Sequence, residues 1–261
     1  MSIEVVLLGN NEGSKLASET TNGVAIIVDV LRASTTIPTA MRQGLNTFYV
    51  AKEVEDTRQV KVEFDTLLMG ERGCLMLEGF DFGNSPVEVS SKINFAKPAT
   101  AFTSSTGARR VVESIGAKYI LIGSIVNAKV IAQKVIDIAQ EDERQLKVVI
   151  IPAFSEGNIQ NNTITEDQLG GLIIANEFQN IGVTLAQEVT EEIAYLEELL
   201  KTTTLYDLLY QTAHGKKLID LNYIDDIEFC SRLNFINIVP ISRNDIITLT
   251  NNTRVVKFSK E

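Results

Sequence analysis

The sequence predicts an α/β fold: a three-layer α/β/α arrangement with a largely parallel or mixed sheet and a helical C-terminal portion. Three observations point to it. Short apolar runs alternate with helical patterns through the first 152 residues, as chains of βαβ units do. The run Val24-Ala25-Ile26-Ile27-Val28 is apolar at every position, the pattern of a strand covered on both faces. Finally, polar, glycine-bearing loops open a helix directly after a strand at Asp29–Thr36, Glu71–Glu88 and Thr103–Arg110. Loops of that form lie at the carboxyl ends of strands, where open α/β sheets bind ligands.

Taken in order, Glu4–Leu8 reads as a first strand and Gly9–Gly13 as a turn-rich connection. The run from Val24 is the second strand, and the spacing of Ile37, Ala40 and Met41 predicts a helix ending near Gly44. Thr47–Ala51 is a strand, Glu53–Phe64 a surface helix and Thr66–Met69 a short strand. Gly73–Pro86 is loop-like, and Ser85-Pro86-Val87-Glu88 has the form of a capping box that starts a short helix. Thr100–Phe102, Tyr119–Ile122 and Leu146–Ile151 are strands; Ala108–Ile115 and Asn127–Gln140 are helices. Thr165 is an N-cap with Glu166 and Asp167 in the first turn of a helix reaching Phe178. Helices at Ala186–Leu200, Thr204–Gln211 and Lys216–Leu221 precede a closing β region, Ile236–Phe258. The chain reads as a single domain, 1–261, with a change of pattern near residue 152 that would divide a sheet-and-helix core from a helical and β C-terminal part.

Composition narrows the function. An apolar content of 44% and a charged content of 22% are those of an ordinary globular protein. A net charge of −10 argues against nucleic acid or an anionic membrane as partner. No apolar run is long enough to span a bilayer and the N-terminus does not read as a signal peptide, so we expect a cytoplasmic protein. Cys74 and Cys230 have no metal-ligand spacing and are expected to be reduced. Neither carries the arginine of a cysteine-phosphatase loop, because Phe80 and Ile236 stand there. His214 is the single histidine, which excludes a multi-histidine zinc site. No phosphate-binding GxxxxGK[ST] or dinucleotide GxGxxG occurs. Asp29 lacks the second aspartate that haloacid-dehalogenase phosphatases carry two residues on; Leu31 is there.

What remains is a cleft for a small anion. Each of the three loops joins hydroxyls or amides to arginine: Arg32, Arg72, and Arg109 with Arg110. If the strand ends converge, these groups and the helix N-termini supply the positive field that an anionic substrate needs on an acidic protein. Asp29, Glu71, Asp81, Glu166 and Asp167 offer hard oxygens for a magnesium ion, which takes one or two carboxylates and completes its octahedron with water and phosphate. The residues also admit plainer roles: Ser34 or Thr35 as an N-cap, Glu71-Arg72 as a surface ion pair, and Glu166-Asp167 as a complement to a helix dipole.

DVLRASTT at Asp29–Thr36, GERG at Gly70–Gly73, GFDFGNSP at Gly79–Pro86, SSTGARR at Ser104–Arg110 and EDQLGG at Glu166–Gly171 together resemble the ordered motifs of the 2-phosphosulfolactate phosphatase (ComB) family. The tail His214–Pro240 is similar as well. The resemblance implies an α/β/α, magnesium-dependent phosphatase, a homodimer that hydrolyses 2-phospho-3-sulfolactate to sulfolactate and inorganic phosphate in coenzyme M biosynthesis. On it, Asp29, Arg32 and Arg72 are the catalytic candidates; Ser34, Thr35, Asn84, Ser85, Ser105, Thr106, Gly107 and Arg109 bind substrate; and Asp29, Glu71, Glu166 and Asp167 hold the metal. The chain departs from the family pattern at Thr106-Gly107-Ala108, where Asn-Gly-Thr is usual, and at Cys74, which stands after Gly73 in place of a second glycine. Those departures leave two alternatives: a phosphatase for another small phosphorylated carboxylic acid, or a non-catalytic sensor or carrier of small anions.

Overall fold

In the computed structural model, which describes residues 3–92, 94–142, 145–156, 159 and 163–261, the chain alternates strands and helices as far as residue 152 and then turns helical. The elements are β1 (Ile3–Leu7), α1 (Asn10–Glu19), β2 (Gly23–Val28), α2 (Ala33–Arg42), β3 (Thr47–Val50), α3 (Val54–Phe64), β4 (Leu67–Arg72), β5 (Leu75–Met76), α4 (Pro86–Ser90), β6 (Ala99–Thr103), α5 (Gly107–Glu113) and β7 (Tyr119–Ile122). After a 3₁₀ turn at Ile125–Asn127 come α6 (Ala128–Asp142), β8 (Leu146–Pro152), α7 (Glu166–Asn180), α8 (Gln187–Leu199), α9 (Leu205–Gln211), α10 (Ala213–Asp220), α11 (Ile224–Cys230), β9 (Pro240–Ser242), β10 (Ile246–Thr248) and β11 (Arg254–Lys260).

Among the described residues, eleven strands form one mixed sheet in the order β1-β8-β2-β7-β9-β11-β3-β6-β4-β5, with β10 on β11. β1, β8, β2 and β7 are mutually parallel, as are β3, β6 and β4. β9 and β11 join the two groups through antiparallel pairs, so the last strands of the chain sit mid-sheet. β2 shows why its run is apolar throughout. Val24, Ile26 and Val28 pack into one core with α6, α7 and the C-terminal helices, while Ala25 and Ile27 pack into another with α1, α2 and α5. Period-2 alternation thus buries both faces, which gives the three layers. The second core also takes Phe48, Phe102 and Phe258 from β3, β6 and β11, so α2 and α5 are shared between the two parallel groups.

Local expectations change at several points: β5 lies within the stretch read as loop, and α11 follows Leu221 where no element was expected. Gly9–Gly13 is the start of α1 rather than a turn. The buried face of α1 is Gly13, Ser14 and Ala17, small residues that a hydrophobic pattern does not reveal. A Cβ at Gly13 would lie 1.8 Å from the Leu8 carbonyl oxygen, so the helix can approach the end of β1 this closely only with glycine there. Ser85 does cap α4, accepting the Glu88 N–H at 3.1 Å, but Glu88 Oε2 accepts from the Gly83 N–H instead of closing a box. Reciprocal boxes form instead at Thr165 and Gln168, at the start of α7, and at Thr204 and Asp207, at the start of α9.

Candidate functional site

The carboxyl end of β2 carries Asp29, which is buried with a network built around it. Its backbone N–H donates to Ser34 Oγ at 3.0 Å, and Oδ1 accepts the Ala33 N–H at 3.3 Å. Oδ2 accepts the Gly107 N–H at 2.9 Å and the Thr106 hydroxyl at 3.3 Å. Asp29 therefore ties the N-terminus of α2 to that of α5. A Cβ at Gly107 would stand 2.5 Å from Asp29 Oδ2, so glycine is what admits the carboxylate so close to the backbone. Thr106-Gly107-Ala108 thus serves to hold Asp29, with Ala108 packed in the core. The Leu31–Arg32 peptide is cis.

Three more buried carboxylates share the cavity with Asp29. Glu71, at the end of β4, accepts the Ser105 N–H on Oε1 at 2.7 Å and the Cys74 N–H on Oε2 at 2.7 Å. Asp167, in the first turn of α7, accepts the Val30 N–H at 2.8 Å and the Phe154 N–H at 3.0 Å, which pins the ends of β2 and β8 together. Glu166 lies beside it, buried, facing His214. Burial, then the charge of Glu71, pushes the Asp29 carboxyl up to about 6. Burial raises Asp167 well above the carboxylate range, with Asp29 and Glu166 adding to it. Burial raises Glu166 too, opposed by His214. Acids in this state repel one another, and a divalent cation relieves both desolvation and repulsion.

Among the described residues, no group of three or more His, Cys, Asp or Glu stands ready to enclose a metal. Magnesium does not need such a cage. Both oxygens of Glu71 and of Asp167 are already engaged by backbone N–H groups. The Asp29 oxygens accept from the Ala33 and Gly107 N–H groups and the Thr106 hydroxyl in the same way, and the raised Glu166 carboxyl lies against His214 and the Thr212 side chain. Such bonds orient a carboxylate without exhausting its lone pairs, so each of the four acids can still offer an oxygen to a magnesium ion, Asp29 and Glu166 among them.

The cavity, about 670 Å³, is also lined by Arg32, Asn84, Ser105, Thr106, Cys74, His214 and Lys217. Arg32 is almost fully buried. Its Nη1 donates to Asp226 Oδ2 at 2.7 Å, its Nη2 donates to the Cys74 carbonyl at 2.6 Å, and its guanidinium stacks 4.2 Å from the Tyr223 ring. Asp226 also accepts from Ser85 Oγ at 2.6 Å and from the Val87 N–H at 3.3 Å, so it binds the start of α2, α4 and α11 together. Burial holds His214 below its ordinary value, with Glu166 opposing.

The remaining predicted residues lie behind or outside the cavity wall. Thr35 donates to the Val30 carbonyl and meets Ser124, Ser34 supports Asp29 from behind, and neither is the N-cap of α2. Arg72 commits its guanidinium to the carbonyls of Glu71 and Lys52 and the Thr103 hydroxyl. Arg109 is exposed on α5, Arg110 pairs with Glu113, and Asp81 accepts the Leu68 N–H on the β4 side. Sequence reasoning missed Asp226, His214 and Lys217 as parts of the site. Asp226 carried a signal: Tyr223, Asp226, Ile227 and Cys230 recur at helical spacing, which places an acid on an apolar face and calls for a buried cation.

Comparison with known proteins bears on this geometry. The family model described as 2-phosphosulpholactate phosphatase matches residues 11–245. The chain is 32% identical over 219 residues to a probable 2-phosphosulfolactate phosphatase of Carboxydothermus hydrogenoformans, covering 82% of this chain and 84% of that protein. It is 32% identical over 240 residues to the 2-phosphosulfolactate phosphatase of Methanocaldococcus jannaschii, covering 90% and 93%. A probable 2-phosphosulfolactate phosphatase of Clostridium tetani is 31% identical over 225 residues, covering 85% and 90%.

Proposed function

The chain belongs to the 2-phosphosulpholactate phosphatase family, and on that premise we propose that it hydrolyses the phosphate ester of 2-phospho-3-sulfolactate to sulfolactate and inorganic phosphate, using magnesium, as a step of coenzyme M biosynthesis. The observation that carries this reading is the cavity itself, which joins carboxylates suited to a cation with cationic side chains suited to an anion, at the ends of strands. Asp29 and Glu166 would hold the magnesium ion, which supplies Lewis-acid polarisation of the phosphoryl oxygens.

The protein's own groups have separable tasks. Asp29 stands at the reacting end, fixed by the N–H groups of Ala33 and Gly107. Arg32, its charge answered by Asp226 and its guanidinium held against the Cys74 carbonyl and the Tyr223 ring, is a positioning residue that fixes the loop between Asp29 and α2. Ser105, Thr106 and Asn84 offer hydrogen bonds from the loops that precede α5 and α4. Arg72 is a positioning residue, holding the strand end that presents Glu71. Exposed Leu75 and Met76 on edge strand β5 support a homodimer, and the free thiols Cys74 and Cys230 support a cytoplasmic location. Among the described residues no helix is long and apolar enough to cross a membrane.

The test is release of inorganic phosphate from 2-phosphosulfolactate, with phosphoglycolate and 2-phospholactate alongside, each with magnesium and with chelator. Magnesium-dependent release that favours the sulfonated ester is expected. No release from any of the three would refute the reading. Sedimentation at micromolar concentration checks the dimer.

A further inference from the structure

We propose that the α10 side of the cavity is a second anion subsite, in which Lys217 and the first backbone N–H groups of α10 hold the sulfonate of the substrate while its phosphoryl group lies at Asp29. This deepens the reading above and rests on it. Among the described residues, three basic side chains line the cavity: Arg32, His214 and Lys217. Arg32 is committed, its fork taken by Asp226 and the Cys74 carbonyl. His214 faces the Glu166 carboxyl, and its Nε2 lies 3.8 Å from Cys74 Sγ. Lys217 forms no ion pair among the described residues; its neighbour is the Cys74 thiol. It is therefore the cation in the wall whose charge no described carboxylate answers.

Lys217 lies one turn after His214 on α10, so the two share a face. Thr212, Ala213 and His214, at the N-terminus of the same eight-residue helix, also line the cavity. Thr212 Oγ1 accepts the Gly215 N–H of that turn, which leaves the earlier N–H groups for a ligand. An independent observation points to a ligand here. Asn84, 4% exposed and lining the same cavity, has a buried Oδ1 with no hydrogen-bond partner among the described residues. Such an atom is costly unless a bound molecule satisfies it, by donating to it or by drawing the carboxamide through a half-turn to donate. A sulfonate suits this corner of the cavity: it stays ionised at any working pH, and its three tetrahedrally disposed oxygens can meet an ammonium and several helix N–H groups at once. Asp29, Glu71, Glu166 and Asp167 make the rest of the cavity hostile to an anion that protonation cannot neutralise.

The test compares the intact protein with Lys217→Met and Lys217→Arg. The measured quantity is kcat/KM for 2-phosphosulfolactate divided by that for p-nitrophenyl phosphate, which carries no second acid. Loss of one charge-assisted contact predicts that Lys217→Met lowers this ratio by about tenfold to a hundredfold, chiefly through KM, and that Lys217→Arg restores most of it. The same ratio for 2-phospholactate, which keeps the carboxylate and lacks the sulfonate, should move much less. An unchanged ratio, or equal loss for the two acid-bearing esters, overturns the proposal. Calorimetric binding of sulfolactate gives a readout free of turnover: Lys217→Met should weaken it by at least about tenfold. If no ester is hydrolysed yet sulfolactate binds in a Lys217-dependent way, the phosphatase reading falls and the subsite stands. Hydrolysis with Lys217-independent binding and selectivity overturns the subsite and leaves the phosphatase reading in place.

Discussion

Replacing Asp226 by asparagine isolates the buried ion pair on which the site's geometry depends. The Arg32 and Asp226 side chains are each 2% exposed and meet at 2.7 Å. The substitution keeps the shape and an acceptor for the Ser85 hydroxyl but leaves the Arg32 charge in the interior without its counter-ion. Removing one partner of a buried pair costs about 3–5 kcal/mol, because the charge that remains has lost both water and its counter-ion. Native stabilities are about 5–15 kcal/mol, so this is a large share of the total. For a chain of this size it corresponds to a fall in Tm of about 6–20 °C. Differential scanning calorimetry with a urea titration reads it directly. The double variant Arg32→Met, Asp226→Leu, which removes both charges, should recover most of the loss. A loss below about 1 kcal/mol for Asp226→Asn, or a double variant no better than the single, would refute the claim that the pair is a buried, mutually dependent unit.

Three further outcomes follow from the same geometry. Gly107→Ala places a methyl group 2.5 Å from Asp29 Oδ2 and must displace the carboxylate, so kcat/KM should fall by about a hundredfold with the fold intact by circular dichroism; a fall under about threefold would contradict it. Asp29→Asn should abolish turnover whether Asp29 is a metal ligand or a nucleophile, and unchanged phosphate release would eliminate both roles. The folded Asp29 carboxyl lies at about 6 against an ordinary 3.8, so the folded state binds the proton more tightly than the unfolded chain. Stability therefore falls as pH rises between these values, by about 3 kcal/mol in all, in magnesium-free protein. A Tm profile in chelator should decline from about pH 4 to 6, and magnesium should raise Tm more at about pH 7 than at about pH 4; a profile that rises over that range would refute the assignment.

Much of the fold was legible because its signals are local. The continuous apolar run of β2 states that both faces are covered, the capping residue Thr165 marks the start of α7, and the strand–loop–helix form at Asp29, Glu71 and Thr103 marks the ends that meet. Asp29, Arg32, Glu71, Asn84, Ser105, Thr106, Glu166 and Asp167 do line one cavity. Where local signals mislead, packing is the reason. The α1 helix buries small residues rather than large apolar ones, and Arg72, Ser34 and Thr35 look like ligand groups in sequence yet direct their polar atoms to neighbouring backbone.

The class of fold, the three loops and the demand for an anion on an acidic protein can be read along the chain, since periodicity, turn residues and charge are properties of neighbours in sequence. Which arginine is neutralised and which cation is left to a ligand depends on packing. Asp226 and Lys217 come from α11 and α10, far along the chain from Arg32 and Asp29, and β9 and β11 return to the centre of the sheet. Pairing across such separations is set by where hydrophobic faces dock, and no window of sequence contains both partners.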